Sequence, residues 1–357
     1  MSITYTKELI SFVKENDLSF LANKRILVTG STGLIGSYFI DVLMKNNDIY
    51  ESMIEIYALS RNKNRAERRF AEYINHNCFN IIVHDMNNHF ESDIHIDYII
   101  HAAGNSTPKT IKNDPVGTIK SNVFGTIDLL EYAKERNVEK FLFVSSSEIY
   151  GESISKIEAF SEDDMGVINP IETRASYSES KRLGENICAN YSKLFGVKVN
   201  IARVSFAYGA TYSELDDRVI PQFIDSSLNG DDIVLKSTGE MLRSYTYLYD
   251  VVSGLIHILR YGLSGNAYNI SNGGSNVTIR EIAEIISILT NTNLVFNVPE
   301  GTTTKGYSAF SKAVLNSKKL EKLGWKPKYN MQQGLSQVVG IQKENYSDKY
   351  NCTSLQC

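Results

Sequence analysis

The 357-residue sequence predicts an α/β fold: a doubly wound parallel sheet with helices on both faces, and a smaller lobe drawn mostly from the C-terminal third. Three observations predict it. Short apolar or β-branched runs alternate with longer segments of helical period through the first two thirds of the chain. A glycine-rich turn follows the first of those runs directly. The chain is also long enough for two lobes around a sizeable core.

Taken in order, residues 1–23 form an N-terminal extension whose charges interrupt an apolar pattern. This predicts one amphipathic helix packed on the first strand, and no secretory signal, because an apolar h-region with a small-residue cleavage site is missing. The expected strands are Arg25 to Thr29 (RILVT), Ile54 to Leu59 (IEIYAL), Phe79 to Val83 (FNIIV), Tyr98 to His101 (YIIH), Phe141 to Ser145 (FLFVS) and Val199 to Arg203 (VNIAR). Each is followed by a helical segment, the crossover that parallel pairing requires. Beyond about residue 205 the pattern loosens into Gly- and Tyr-bearing loops. A strand (AYNI), a helix beginning near Thr278 (TIREIAEIISIL) and an LGWKP segment follow. We therefore expect a dinucleotide-type lobe over 24–205 plus about 245–272, a second lobe over 206–244 and 273–343, and a flexible tail over 344–357.

Composition narrows the function classes. Lys+Arg 37 against Asp+Glu 41 gives a net charge of −4, without the basic excess that nucleic acid selects. No tract approaches the roughly 18 consecutive apolar residues of a membrane span. The cysteines, at 78, 188, 352 and 357, have neither metal-ligand spacing nor a disulfide framework, and the six histidines are scattered. The sequence thus predicts no metal and no membrane or nucleic-acid partner, with a reducing cytoplasm as the expected location.

The glycine turn, TGSTGLIG, places Gly30, Gly33 and Gly36 at three-residue intervals where a helix begins, with Thr32, Leu34 and Ile35 between them. A strand that turns sharply into a helix aims free backbone N–H groups and the positive helix end at one point, which suits a pyrophosphate. At the end of the second strand, where a carboxylate would accept the ribose 2′-hydroxyl of NAD, stand Ser60 and Arg61; a guanidinium there suits a 2′-phosphate, so the reading leans slightly to NADP over NAD. Asp85, with Met86, follows the third strand at the adenine edge. Ala102, Ala103 and Gly104 follow the fourth, small enough to let a dinucleotide lie against the backbone. Further on, Tyr177 and Lys181 fall at i and i+4 of a helix, so a phenol and an ammonium can share one face.

GSTGLIG, HAAG, NVFGT, VSSSEIYG and YSESK, in this order and from about Lys24 to about Gly340, resemble the extended short-chain dehydrogenase/reductase family. The resemblance implies a Rossmann lobe for NAD(P), to which Ser145 also belongs, and a small lobe for a nucleoside-diphosphate sugar. It implies Tyr177 as acid/base and Lys181 on the nicotinamide ribose, lowering the tyrosine pKa, a direction expected of a neighbouring ammonium. It further implies a homodimer through the helix carrying Asn122 and Gly125 and the helix carrying Tyr177. MGVINPIETRASYSESKR, SSSEIYG and DDRVIPQFI are most similar to the UDP-glucuronate decarboxylase branch, in which Ser146, Ser147 and Glu148 occupy the catalytic hydroxyl, hydroxyl and glutamate positions. Ser147 stands where 4,6-dehydratases carry an aspartate. Asn105, Arg174, Phe206, Arg218 and Arg243 are the implied substrate contacts, with Tyr208, Tyr245 and Tyr247 lining the sugar pocket. Phe206 and Ala210 depart from the family's asparagine and proline, and SKAVLNSKKL departs from its basic-Pro-Asp segment, leaving the sugar and nucleotide open. A net 4-keto reductase, a C4 epimerase and a non-catalytic NAD(P) sensor are the alternatives.

Overall fold

The computed structural model describes residues 1–153, 157–213, 216–298 and 313–354. In chain order come α1 (Ile3–Glu15), β1 (Arg25–Thr29), α2 (Leu34–Tyr50), β2 (Glu55–Ser60), α3 (Lys63–Arg69), β3 (Phe79–Val83), β4 (Tyr98–His101), α4 (Pro108–Asn113), α5 (Pro115–Glu135), β5 (Lys140–Ser146), α6 (Ala175–Phe195) and β6 (Val199–Val204). After them come β7 (Phe206–Tyr208), α7 (Val219–Leu228), β8 (Ile233–Leu235), β9 (Leu242–Tyr247), α8 (Leu248–Tyr261), β10 (Asn266–Ile270), β11 (Asn276–Thr278), α9 (Ile279–Thr290), β12 (Leu294–Phe296), α10 (Lys318–Glu321) and α11 (Met331–Ser354).

Seven strands form one sheet in the order β3-β2-β1-β4-β5-β6-β10, every neighbouring pair parallel. This is the predicted doubly wound Rossmann-type sheet. The expected limits of β1, β3 and β4 agree at both ends, and those of β2, β5 and β6 shift by one residue. The inner strands β1, β4 and β5 read as mostly apolar runs because both of their faces are covered, and Ile26, Val28, Ile99, Ile100, Phe141 and Leu142 are fully buried, whereas edge strand β3 is half exposed. Strand order reverses between β1 and β4, which opens a crevice beyond their carboxyl ends, where Gly30 and Ala102–Gly104 lie. A second region carries the three-stranded sheet β11-β9-β7 and the pair β12-β8. Thr278 caps α9 with a reciprocal bond to Glu281, which explains why that helix start was legible.

Three placements differ from expectation. Helix α1 packs on α2 and α11 instead of β1, whose faces other helices already cover. Its polar groups fix it there: Tyr38 and Tyr247 donate to Glu8, Tyr5 donates to Asp41 at 2.6 Å, and Tyr249 donates to Glu15 at 2.6 Å. Helix α11 continues to Ser354, through the segment read as a flexible tail, because buried Leu335, Val338 and Val339 seat it and Glu344 accepts the Thr4 N–H at 3.0 Å. Trp325 of the LGWKP segment, expected to anchor the C-terminal segment to the small lobe, ties that segment to α8 instead, its Nε1 donating to Ser253 Oγ at 3.0 Å.

Candidate active site

The crevice floor is the β1–α2 turn. Gly30 has φ +63°, and a Cβ there would stand 2.6 Å from the Ala102 carbonyl oxygen; one on Gly36 would stand 2.5 Å from the Gly30 carbonyl oxygen. Glycine is therefore required at both positions by the close packing of loop, helix and β4. Gly33 caps α2 without a side-chain bond, so the first amides of a 17-residue helix point into the crevice uncapped. A cradle that any side chain would fill, rimmed by small Ala102 and Ala103, fits the pyrophosphate of a dinucleotide.

Around this floor the expected residues sort into three groups. Ser60 is buried with its hydroxyl on the Asn62 backbone, Arg61 is exposed, and Asp85 holds the Asn87 amide at 3.0 Å. Met86 is buried against Gly125 of α5. Ser145 turns its hydroxyl away from the cradle to Glu185, which also takes two guanidinium nitrogens of buried Arg203. Arg65 escaped the sequence reading because it lies in a charge run typical of solvated helices. Here its Nη2 reaches the Thr32 carbonyl at 3.3 Å, and burial and the nearby Arg61 and Arg68 charges lower its pKa.

The reacting end is at the carboxyl end of β5 and the first turns of α6. Tyr177 and Lys181 are both buried on α6. Burial and the Glu148 charge push the Tyr177 phenol up to about 12, against a hydrogen bond with Ser146 and the charges of Arg174 and Arg218. Burial pushes Lys181 down to about 8, and its Nζ donates to the Val144 carbonyl at 2.9 Å. The phenol therefore stands above its ordinary value and not below it, because desolvation exceeds the favourable charges, while one of the three Lys181 ammonium protons goes to a carbonyl. Ser146 opens a short 3₁₀ turn, accepting the Glu148 N–H at 3.2 Å, and Ser147 is buried beside it. Glu148 receives Arg174 Nη2 at 2.6 Å and Ser178 Oγ at 3.2 Å. The Arg174 guanidinium lies 5.9 Å from the Tyr177 ring centre, and its Nε and Nη1 are buried with no partner among the described residues.

Arg243 is buried on β9, 5.5 Å from the Phe206 ring centre. Asn105 reaches Thr118 at 3.4 Å, and Arg218 is tied to Asp216, Nε to Oδ1 at 2.8 Å. Tyr245 packs against Phe206, but Tyr247 gives its hydroxyl to Glu8 and the Tyr208 hydroxyl sits against Gly334. Those two tyrosines therefore serve the seam with α1 and α11 instead of the pocket. His101, at the end of β4, joins the cradle to α5. Thr126 gives its proton to the Asn122 carbonyl at 2.6 Å, so His101 Nε2 must donate to Thr126 at 3.0 Å. Nδ1 then accepts from Thr29, whose oxygen takes the Ala103 N–H at 3.1 Å. Burial and Lys181 hold this imidazole neutral, with a pKa of about 3. The described residues include no His/Cys/Asp/Glu group able to hold a metal and no helix long and apolar enough to cross a membrane.

Comparison with known proteins agrees with this geometry. UDP-glucuronic acid decarboxylase 6 of Arabidopsis thaliana is 33% identical over 320 residues, 90% of this chain and 89% of that protein. UDP-glucuronic acid decarboxylase 1 of Danio rerio is 30% identical over 340 residues, 95% of this chain and 76% of that protein. A UDP-glucuronic acid 4-epimerase from Bacillus cereus, solved with UDP-glucuronic acid and NAD, shares the fold at a TM-score of 0.75 and 23% identity, covering 90% of this chain and 100% of its own. A dTDP-glucose 4,6-dehydratase from Bacillus anthracis with NAD does so at 0.75 and 24%, covering 91% and 98%. The model of the NAD dependent epimerase/dehydratase family matches residues 26–271, from the glycine cradle through the Tyr177–Lys181 helix to the last strand of the large sheet, and the chain belongs to that family.

Proposed function

We propose that this chain decarboxylates a nucleoside-diphosphate glucuronate, with UDP-glucuronate as the substrate, through a sugar oxidised at C4. The observation that carries the reading is the convergence of Tyr177, Ser146 and the Glu148–Arg174 pair on one spot beside the glycine cradle. The Gly30–Gly36 loop would hold the pyrophosphate of a nicotinamide dinucleotide, with Lys181 and Gly104 at its nicotinamide ribose. That group supplies the hydride acceptor and donor. Tyr177 takes the O4 proton while Ser146 hydrogen-bonds the same oxygen. A ketone at C4 makes the C6 carboxylate a β-keto acid. The C5–C6 bond then breaks, carbon dioxide leaves, and the electron pair moves onto O4, where the Tyr177 and Ser146 hydroxyls stabilise it. Glu148 and Arg243 handle the proton delivered to C5.

Arg61, Arg65 and Arg68 cluster at the ribose end, which supports NADP over NAD. This cluster also favours the second reading, a net 4-keto reductase, because an exchangeable NADPH is the usual external reductant. Exposed Val116, Ile119 and Phe124 on α5 and Leu183, Leu194 and Phe195 on α6 support a homodimer through these two helices, and buried free Cys78 and Cys188 suit a reducing cytoplasm. The deciding experiment supplies carboxyl-labelled UDP-glucuronate. Labelled carbon dioxide and a UDP-pentose, without net consumption of cofactor, are expected. No carbon dioxide, together with stoichiometric NADPH oxidation on a 4-keto-6-deoxy nucleotide sugar, replaces decarboxylation by reduction.

A further inference from the structure

Arg174 presents a feature that the reaction scheme leaves unused. One of its three guanidinium nitrogens, Nη2, is bound to Glu148 at 2.6 Å, while Nε and Nη1 are buried and unbonded among the described residues. A buried donor on a cation without an acceptor is costly, so such groups in a native site are matched when the site is filled. The position of the guanidinium says by what. It lies 5.9 Å from the ring of Tyr177, the residue that faces the reacting O4. In a pyranose the diphosphate-bearing C1 is across the ring from C4, whereas C3 with its hydroxyl and C5 with its C6 substituent are the direct neighbours. The diphosphate therefore lies away from Arg174, and of the groups next to C4 only a C6 carboxylate carries the negative charge that its unbonded guanidinium nitrogens call for.

Resting on the reading above, the geometry points to Arg174 as the receptor for the C6 carboxylate of the sugar, with Glu148 as the residue that positions it. The two free nitrogens lie on different edges of the guanidinium, so a carboxylate pairs with one of them together with the second proton of Nη2, and a permanently charged group with donors to spare matches an anion better than a hydroxymethyl. Glu148, fixed by its own backbone bond to Ser146 and by Ser178, holds Nη2 and thereby turns the other nitrogens toward the sugar. The site then selects hexuronates over neutral hexoses before any bond is broken.

The test measures dissociation constants of UDP-glucuronate, UDP-glucose and UDP-xylose on the full chain loaded with its dinucleotide, in a Tyr177→Phe background so that no sugar is consumed. UDP-xylose lacks C6 and serves as the internal control for folding. Arg174→Gln and Arg174→Lys should weaken UDP-glucuronate by roughly 10- to 100-fold, the loss expected for charge-assisted bonds, and leave UDP-xylose within about twofold. Glu148→Gln should reduce the glucuronate-to-glucose preference in the same direction without moving UDP-xylose. Equal weakening of all three sugars would assign Arg174 to a group they share and overturn the inference, as would a starting protein that binds UDP-glucose at least as well as UDP-glucuronate. Carbon dioxide release by the unaltered enzyme reports on the reaction separately. Arg174-dependent preference without carbon dioxide keeps the subsite and removes decarboxylation; carbon dioxide with an unchanged preference in Arg174→Gln does the reverse.

Discussion

Replacing Tyr177 by Phe removes one oxygen from a buried position on α6, and two consequences can be separated in size. The hydroxyl is hydrogen-bonded to Ser146, so its loss costs about 0.5–1.5 kcal/mol of stability, small against the roughly 5–15 kcal/mol of a folded domain. Ser146 keeps the Glu148 N–H as a donor, and the ring keeps its packing. The catalytic loss should be far larger, about 10²–10⁴-fold, because no other hydroxyl joins Ser146 at O4 as a proton acceptor. With the phenol at about 12 in the free protein, only about one molecule in 10⁵ is ionised at pH 7, so kcat/KM should climb with pH below about 8, where Lys181 still carries its proton. That climb should vanish in the variant. The assay is carbon dioxide release across pH 6–8 alongside dinucleotide binding and thermal melting. A loss below tenfold, or a loss matched by a collapse in melting temperature, would refute Tyr177 as the base.

Glu8 gives a prediction for stability. Burial raises its carboxyl from 4.5 to about 7 despite the Tyr247 and Tyr38 hydroxyls, so the folded state binds more protons than the unfolded chain between those values. Its stabilising contribution is full below pH 4.5 and is lost as pH rises through 7, on the order of 3 kcal/mol in all; Glu8→Gln should flatten melting temperature against pH over that window, and parallel curves would refute the argument. Arg65→Ala and Arg61→Ala should each weaken NADP more than NAD, by about 1.5–3 kcal/mol for one lost charge-assisted bond to the 2′-phosphate, and equal effects in a binding titration would return both arginines to the solvated surface. Phe124→Glu, at a position 56% exposed on α5, should shift sedimentation at micromolar concentration from dimer to monomer. A monomer before substitution would remove the dimer instead.

The fold was legible because it rests on local periods. Strands β1 and β4 are short runs of buried, mostly apolar residues, the pattern of strands covered on both faces, and edge strand β3 is a short run rich in β-branched residues, so their limits could be read directly. The glycine cradle was legible for a related reason: Gly30 and Gly36 sit where a Cβ would strike backbone, a constraint that acts within a few residues of chain and a single neighbouring strand. The i, i+4 pair Tyr177–Lys181 needed only a helix to share one face.

What lay beyond the sequence was the outcome of competition between distant groups. Nothing in YSESK says that burial would hold the phenol near 12 and lead Lys181 to a carbonyl, because desolvation is set by everything packed around α6. The same holds for Ser145, whose hydroxyl is claimed by Glu185, and for Tyr247, whose hydroxyl is claimed by Glu8 from an N-terminal helix 239 residues away. Arg65 reads as one more cation in LSRNKNRAERR until the loop before α2 is brought within 3.3 Å of it. Local chain chemistry by itself determined the sheet, the cradle and the residues available for the reaction. Tertiary packing decided which of them are free to act, since a hydrogen bond or a desolvated charge depends on partners that only the folded chain brings together.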